Sequence, residues 1–275
     1  MATPRSKVAT GEPANDRPPQ PLAGRRILIC RPRPDGERLA RQFRESGADV
    51  RVLPTLAREA LPETPETRTL IQNLDQFHHV IAVSPYAATL LLELLDTWWP
   101  QVPAGLHWYG VGAGTAAVLS AAGVTPEAPG HGWTSEDLLA LPGLRTADGE
   151  RVLLVRGEDG RELIRDTLSQ RGAEVTVLPL YRRFCPDYDK KTITDVLTDF
   201  DPEVIIALSG ETLNNLVALG KNTNHNLMKR LLLVPAERVA EQARSAGFRW
   251  LCIPQGLADT DIVAAVVREL PTEQH

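Results

Sequence analysis

The sequence is poor in cysteine and in long apolar runs, and it has no net positive charge. Only three of its 275 residues are cysteines, and none forms a CxxC pair, so neither a disulfide framework nor a zinc site is predicted. No apolar run approaches the roughly 18–20 residues that span a bilayer, and we expect a protein of the reducing cytoplasm. The formal net charge of −5 argues against a nucleic-acid binder that depends on an overall positive field.

Several sequence motifs of enzyme chemistry are also missing. The chain contains no GxxxxGK[ST], HExxH or GxSxG. Gly110, Gly112 and Gly114 follow a predicted strand, but their spacing is not GxGxxG, and the matching loop of the second half, VPAERVA, has no glycine. The histidines are scattered, and the adjacent pair His78-His79 is expected at the start of a strand. Neither a dinucleotide nor a metal is therefore predicted.

What is present is typical of a globular protein. Hydrophobic residues make up 43% of the chain and charged residues 24%, and the length favours two domains. The first 23 residues contain five prolines and lack the apolar core of a signal peptide. We interpret residues 1–23 as a disordered tail outside the fold.

The rest of the chain repeats itself. The segment from Gly24, GRRILICRPRPDGERLARQFRESGADVRVLP, aligns with the segment from Gly149, GERVLLVRGEDGRELIRDTLSQRGAEVTVLP, 125 residues later. The same offset brings VIAVS onto IIALS, so that Ser84 matches Ser209. Two halves therefore share one design.

Each half alternates predicted strands and helices. ILIC and VLLV are continuous apolar runs, which is typical of strands covered on both faces. Helical spacing follows in each half, with Leu39 and Phe43 in the first and Ile164 and Leu168 in the second. This alternation predicts α/β architecture with parallel sheets and helices on both faces.

Loops after the predicted strands carry arginines, hydroxyls and glycines. In open α/β sheets, ligands bind beyond the carboxyl ends of strands, where helix N-termini favour anions. The candidate anion-binding residues in these loops are Arg31, Ser84, Gly112, Thr115, Arg156, Gly157 and Ser209. A structural role remains open for the serines, since Ser84 and Ser209 are also suitable helix N-caps.

Tyr181 interrupts the repeat. It lies in LPLYRR, where the first half has LPTLAR and places Leu56 at the matching position. A tyrosine beside Arg182 and Arg183 could donate a proton or hydrogen bond to a leaving group. The alternative is a ring that packs at a junction with its hydroxyl in water.

Taken together, these segments resemble the uroporphyrinogen-III synthase family of tetrapyrrole biosynthesis. The resemblance runs from about Gly24 to the C-terminus and rests on VIAVSPYAATLLLEL, VGAGTAAVLSAAGV, SEDLLALP, RGEDGREL followed by VLPLYRR, and VPAERVAEQARSAGF. It implies two flavodoxin-like parallel-sheet domains, joined by two antiparallel linker segments, with the active site in a cleft between them. One domain would comprise residues 24–54 and 183–275, the other residues 58–177, with linkers at 55–57 and 178–182.

The family's reaction closes the linear tetrapyrrole hydroxymethylbilane to uroporphyrinogen III, with loss of water, inversion of ring D and no cofactor. By position, the resemblance implies that Tyr181 assists departure of the hydroxyl. It also implies substrate binding by residues in the matching loops and the second linker: Arg31, Ser84, Gly112, Thr115, Arg156, Gly157, Ser209 and Arg182. We expect a cytoplasmic monomer without nucleic-acid or membrane partners.

Because the substrate carries eight carboxylates, positive potential is expected at a few arginines, namely Arg31, Arg33, Arg156, Arg161 and Arg182. Two other functions remain open from the sequence. One is a two-domain sensor or carrier that closes on a small anion without catalysis. The other is a catalytically idle homologue that serves as an interaction subunit.

Overall fold

The computed structural model describes residues 20–127, 134–221 and 227–270. Eleven strands occur in these ranges: β1 (Arg26–Ile29), β2 (Asp49–Val52), β3 (Ala57–Ala60), β4 (His79–Ala82), β5 (His107–Gly110), β6 (Pro126–Glu127), β7 (Arg151–Gly157), β8 (Glu174–Phe184), β9 (Val204–Ile206), β10 (Leu231–Leu233) and β11 (Trp250–Cys252).

Eleven α-helices occur in the same ranges: α1 (Asp35–Glu45), α2 (Pro65–Gln72), α3 (Pro85–Trp98), α4 (Ala113–Ala121), α5 (Ser135–Leu139), α6 (Pro142–Arg145), α7 (Leu163–Gln170), α8 (Lys190–Thr194), α9 (Gly210–Gly220), α10 (Glu237–Ser245) and α11 (Asp259–Glu269). Among these helices, none combines the length and apolar character needed to cross a bilayer.

The chain divides into two compact units. Unit 1 contains the described residues up to Leu56 and from Cys185 onwards, and unit 2 spans Ala57–Phe184. The sheet of unit 1 has the order β11-β10-β9-β1-β2, and all of its pairs are parallel. The sheet of unit 2 has the order β3-β8-β7-β4-β5-β6 and is parallel except for the β3–β8 pair.

Both faces of the unit 1 sheet are covered, as the apolar runs predict. Ile27 and Ile29 of β1 pack with residues of α1 and α11, whereas Leu28 packs with residues of α9 and α10. Strand alternation therefore sends successive side chains into two separate cores. The predicted helical spacing is confirmed in α1, where Leu39 and Phe43 are fully buried.

Unit 2 repeats this arrangement with its own helices. Leu153 and Val155 of β7 pack with residues of α2, α3 and α4, and Leu154 packs with residues of α5 and α7. The helices α1 and α7, which occupy matching positions in the repeat, are both followed by a glycine with positive φ, Gly47 at 94° and Gly172 at 89°. This left-handed conformation is the one that a glycine adopts without strain after a helix.

The two sheets show how the halves of the sequence are combined. In unit 1, β2-β1-β9-β10-β11 is the strand order 2-1-3-4-5 of a flavodoxin-like sheet. In unit 2, β8-β7-β4-β5-β6 has the same spatial pattern, with β7 and β8 in the places of β1 and β2. Each unit thus joins the opening of one repeat to the remainder of the other.

Two boundaries differ from those expected. The fold begins before Gly24, because Leu22 is fully buried in the unit 1 core and its backbone N–H donates to the carbonyl of Ser46 at 3.0 Å. Excluding all of residues 1–23 from the fold was therefore wrong for Leu22, while residues 1–19 lie outside the described residues. Residues 178–182, expected as a linker, are part of β8, which pairs with β7 on one side and β3 on the other.

Candidate active site

The candidate residues from the sequence fall into two groups, one in each unit. Arg31 and Ser209 belong to unit 1. The larger group follows β4 or β5, ends β7 or lies on β8 of unit 2, and it consists of Ser84, Gly112, Thr115, Arg156, Gly157, Tyr181 and Arg182. The carboxyl ends of β4, β5 and β7 meet at one edge of the unit 2 sheet, because these strands are parallel.

Tyr181 lies on β8 and is only 7% exposed. Its hydroxyl oxygen is 3.2 Å from Oγ of Ser84, and either hydroxyl can donate. Ser84 is also the N-cap of α3, since its Oγ accepts a hydrogen bond from the backbone N–H of Ala87 at 3.1 Å. The N-cap role that the sequence left open for Ser84 is therefore confirmed, and the contact with Tyr181 is one that the sequence did not predict.

The ring of Tyr181 is held by Gly157 and Tyr86. The β7–β8 register shifts between Arg156 and Gly157, which brings Gly157 opposite Tyr181. A Cβ atom at position 157 would lie 2.8 Å from Cε2 of the tyrosine ring, so only glycine leaves room for the ring there. Tyr86 packs edge-on against the Tyr181 ring, with ring centroids 5.1 Å apart and planes at 66°.

Strand β5 pairs in parallel with β4, so the loop after β5 begins at the same edge of the sheet as the loop after β4, which contains Ser84. Gly112 has φ of +88° and is the N-cap of α4, and the buried Thr115 donates its hydroxyl proton to the carbonyl of Val111 at 2.9 Å. The backbone N–H groups of Ala113 and Gly114 have no acceptor in the described part of the chain. Thr115 thus shapes the loop, while the first backbone amides of α4 have the positive end of the helix dipole behind them.

Arg156 is buried, in contrast to a typical ligand-binding arginine. Its Nη1 donates to the carbonyls of Gly160 and Arg161 at 2.8 and 3.0 Å, and its Nη2 donates to Oε1 of Glu162 at 2.7 Å. Among the described residues, its buried Nε has no hydrogen-bond partner. Arg156 therefore holds together the loop that follows Gly157.

Arg31 occupies the position in unit 1 that matches Arg156, and it too is paired. Its Nη1 lies 3.2 Å from Oδ1 of Asp259, and its Nη2 lies 3.7 Å from Oδ2 of Asp35. The carboxylate of Asp259 is almost fully buried, with 7% of its side chain exposed. The positive charge of Arg31 is accordingly balanced within its own unit.

The remaining candidate arginines differ in their pairing. Arg33 forms an ion pair with Glu37 at 3.1 Å, and Arg182 pairs with Glu59 across the β3–β8 ladder. Arg161 is exposed. The expectation that all five arginines concentrate positive potential is therefore corrected, because four of them have carboxylate partners.

Ser209 caps α9 in unit 1. Its Oγ accepts a hydrogen bond from the backbone N–H of Thr212 at 3.0 Å and donates to Oγ1 of the same residue at 2.8 Å. The carbonyl of Thr212 in turn accepts from the buried hydroxyl of Thr55 at 2.8 Å. Ser209 is thus part of a network that fixes the segment after β2.

Two residues near Tyr181 were not singled out from the sequence. Tyr86 follows the serine of the β4 loop, and the guanidinium carbon of Arg58 lies 5.0 Å above the centre of the Tyr86 ring. The only signal for Tyr86 was its place in the SPY step after a predicted strand. Nothing in the spacing of Arg58 indicates a position near a loop 28 residues away or a strand 123 residues away.

A second polar cluster lies inside unit 2. His79 is buried, with Nδ1 at 3.2 Å from the Tyr109 hydroxyl and Nε2 hydrogen-bonded to Glu150. Burial raises the pKa of Tyr109 to about 12, and the charges of Glu127 and Glu150 act in the same direction. The expectation that His79 starts a strand is confirmed.

Comparison with known proteins relates the chain to one family. A family model described as uroporphyrinogen-III synthase HemD matches residues 37–264. The uroporphyrinogen-III synthase of Escherichia coli K12 is 32% identical over 241 residues, which cover 86% of this chain and 96% of that protein. The corresponding protein of Proteus mirabilis is 36% identical over 168 residues, or 59% of this chain and 82% of that protein.

Solved structures show the same fold. A mutant uroporphyrinogen III synthase from Thermus thermophilus aligns with a TM-score of 0.61 and 20% identity, covering 90% of this chain and 98% of that one. The uroporphyrinogen-III synthetase of Helicobacter pylori 26695 aligns with a TM-score of 0.57 and 12% identity, covering 89% and 99% of the two chains. At these identities the likeness concerns the fold alone.

Proposed function

The chain belongs to the uroporphyrinogen-III synthase family, and on that premise we propose that it closes hydroxymethylbilane to uroporphyrinogen III with loss of water and inversion of ring D. The observation that carries the proposal is the family match over residues 37–264. That range includes every candidate site residue except Arg31. The finer assignments are a monomer in the cytoplasm and no nucleic-acid or membrane partner.

The reaction asks more of geometry than of acid–base strength. A pyrrole nitrogen can expel the terminal hydroxyl and leave an electrophilic azafulvene, which the substituted α-carbon of ring D attacks to form a spiro intermediate. The enzyme must hold a flexible chain with eight carboxylates in that arrangement before the uninverted ring closes unaided. Orientation of this kind supplies a large part of the rate acceleration in such reactions.

We assign Tyr181 the role of proton donor to the departing hydroxyl. As the carbon–oxygen bond breaks, the phenolic proton passes to the hydroxyl oxygen and water leaves. The resulting phenolate regains a proton from those that the substrate releases as the macrocycle forms, so the overall loss is one water. The Ser84 hydroxyl at 3.2 Å supports this role, because it can donate a hydrogen bond to the phenolate.

We propose substrate-binding roles for the same loops that the sequence analysis identified. The role of each residue depends on the group that it presents. Ser84 and the loop of Gly112 and Thr115 offer a hydroxyl and free amides of α4 to carboxylates. The remaining proposed binding residues are Arg31, Arg156, Gly157, Arg182 and Ser209. For the buried Arg156 and for Gly157, the supporting contacts indicate action through the loop and the Tyr181 ring.

The test is an isomer analysis. Freshly generated hydroxymethylbilane is supplied to the protein, and the products are oxidised and separated by chromatography. We expect the inverted type III isomer to predominate and to form faster than the protein-free closure. If only the uninverted isomer appears, at the rate measured without protein, the proposed function is wrong.

A further inference from the structure

The face of the β3–β8 ladder that carries Tyr181 also carries Arg58. In the antiparallel register, Ala60 lies opposite Tyr181 and Arg58 opposite Arg183. Side chains two residues apart in a strand share a face, so Arg58 and Tyr181 are on one side of the ladder. Glu59 and Arg182, which pair with each other, are on the opposite side.

Arg58 is connected to Tyr181 through the ring of Tyr86. Its guanidinium carbon lies 5.0 Å from the centroid of the Tyr86 ring, and that ring packs edge-on against Tyr181 at 5.1 Å. A guanidinium that stacks on an aromatic face keeps its N–H groups directed outward around its edge. The stack therefore fixes the position of Arg58 while leaving its donors available.

Among the described residues of unit 2, Arg58 has no carboxylate partner of the kind that the other arginines over aromatic rings there have. Arg68 lies over Trp98 and pairs with Glu63 at 2.8 Å, and Arg151 lies over Phe77 with Glu174 at 3.7 Å. Arg182 lies over Phe184 and pairs with Glu59. Within the described part of unit 2, residues 57–127 and 134–184, no carboxylate pairs with Arg58, and its side chain is exposed.

We propose that Arg58 binds a carboxylate of the substrate beside Tyr181, as a specificity residue for acidic side chains of the tetrapyrrole. This inference rests on the proposed function. The planar guanidinium offers two parallel N–H donors that match a carboxylate, and binding one would neutralise the positive charge on this face. Such a contact would hold one end of the flexible substrate within reach of the tyrosine hydroxyl.

The experiment compares Arg58→Gln and Arg58→Lys with the unchanged protein. KM and kcat are measured with hydroxymethylbilane, and the Kd of uroporphyrin III, a stable octacarboxylate, is measured by calorimetry at low and high salt. Loss of a charged hydrogen bond predicts about a tenfold rise in KM and Kd for Arg58→Gln. The kcat should change less than twofold, and Arg58→Lys should show a smaller rise because it keeps the charge.

Arg51→Gln is the matched control. Arg51 stacks over Phe200 of unit 1 at 5.1 Å, also without a carboxylate partner among the described residues. It should keep KM and Kd unchanged. If Arg58→Gln keeps both constants within twofold, or lowers kcat at constant KM, the inference is wrong. A wild type that makes no type III isomer overturns the proposed function instead, while the uroporphyrin measurement still decides whether Arg58 binds carboxylates.

Discussion

Ser84 in unit 2 and Ser209 in unit 1 are the same feature of the repeat in two surroundings. Their φ and ψ angles are −155° and 158° for Ser84 and −158° and 159° for Ser209. Each accepts a hydrogen bond from the backbone N–H three residues later, at 3.1 and 3.0 Å. Their further contacts differ, because Ser84 meets the Tyr181 hydroxyl whereas Ser209 meets the hydroxyl of Thr212. The repeat supplies a cap twice, and in unit 2 strand β8 places the Tyr181 hydroxyl beside one of them.

The arginines Arg31 and Arg156 extend this comparison. Arg31 follows β1 and Arg156 lies near the end of β7, the matching strand of the second half, and both are paired with carboxylates. The side chain of Arg156 is 8% exposed and holds two backbone carbonyls, whereas that of Arg31 is 22% exposed and shares Asp259 with Arg38. Arg156 therefore holds a loop together, whereas Arg31 shares its carboxylate partner with a second arginine, Arg38.

The largest expected effect separates these two arginines. Arg156→Met should lower the free energy of unfolding by about 3 kcal/mol, because several hydrogen bonds of a buried charged group are lost. Arg31→Met should cost about 1 kcal/mol, since Arg38 still pairs with Asp259 at 2.6 Å. Urea unfolding of both variants measures the difference. Equal losses would contradict the distinction between the two networks.

The next largest effect is expected on kcat when the Tyr181 hydroxyl, the neighbour that Ser84 has in unit 2, is removed. Tyr181→Phe should lower kcat at least tenfold, roughly 1.4 kcal/mol of barrier, without unfolding the protein. Tyr109→Phe is the control, because it removes another buried tyrosine hydroxyl of unit 2 that has no proposed part in the reaction. An unchanged kcat in Tyr181→Phe would return this residue to a packing role.

A smaller effect tests the two caps directly. Ser84→Ala and Ser209→Ala should each lower the free energy of unfolding by about 1 kcal/mol, because each removes one N-cap hydrogen bond. Their steady-state kinetics should differ: Ser84→Ala mainly lowers kcat through Tyr181, and Ser209→Ala raises KM. Ser84→Thr, which keeps a hydroxyl, should restore part of kcat. The same kinetic change in both alanine variants would remove the functional contrast between the units.

The smallest effect concerns the buried polar cluster of unit 2, which includes Tyr109 of β5. The matching strand of unit 1, β10, consists of leucines. The pKa of Tyr109 is raised to about 12, so the folded protein favours its neutral form while the unfolded tyrosine ionises near 10. Stability from this group is therefore complete below about pH 10 and is lost as the pH rises towards 12.

At about pH 10.5, this ionisation should lower the free energy of unfolding by less than about 1 kcal/mol. Denaturant titrations at about pH 8 and 10.5 measure the change, and Tyr109→Phe serves as the matched variant. The variant should show a smaller decrease than the wild type. An equal decrease in both proteins would show that Tyr109 does not carry the effect.

Much of the fold could be predicted because its signals are local. The apolar run of β1, the helical spacing of Leu39 and Phe43 and the glycine after α1 each lie within a few residues of what they determine. The same holds for the N-cap role of Ser84. Leu22 was missed because a proline-rich context hides one apolar residue whose partners come from distant parts of unit 1.

The candidate site was only partly predictable, because charge alone does not reveal pairing. Arg31 finds Asp259 228 residues away, and Arg182 finds Glu59 123 residues away. Arginines that looked available in the sequence are therefore neutralised in the fold. Arg58, which had no motif, is the one that lies unpaired over Tyr86 beside Tyr181, within the described part of the chain.

The sequence by itself determined the repeat, the alternation of strands and helices and the caps, since these depend on periodicity and on hydrogen bonds between residues three or four apart. Local periodicity did not decide which half each strand joins, which only the family resemblance implied, and the tertiary structure alone decided that the Tyr181 hydroxyl meets that of Ser84. The physical reason is that pairing between matching strands of two similar halves depends on the packing of whole sheets, which no local spacing records.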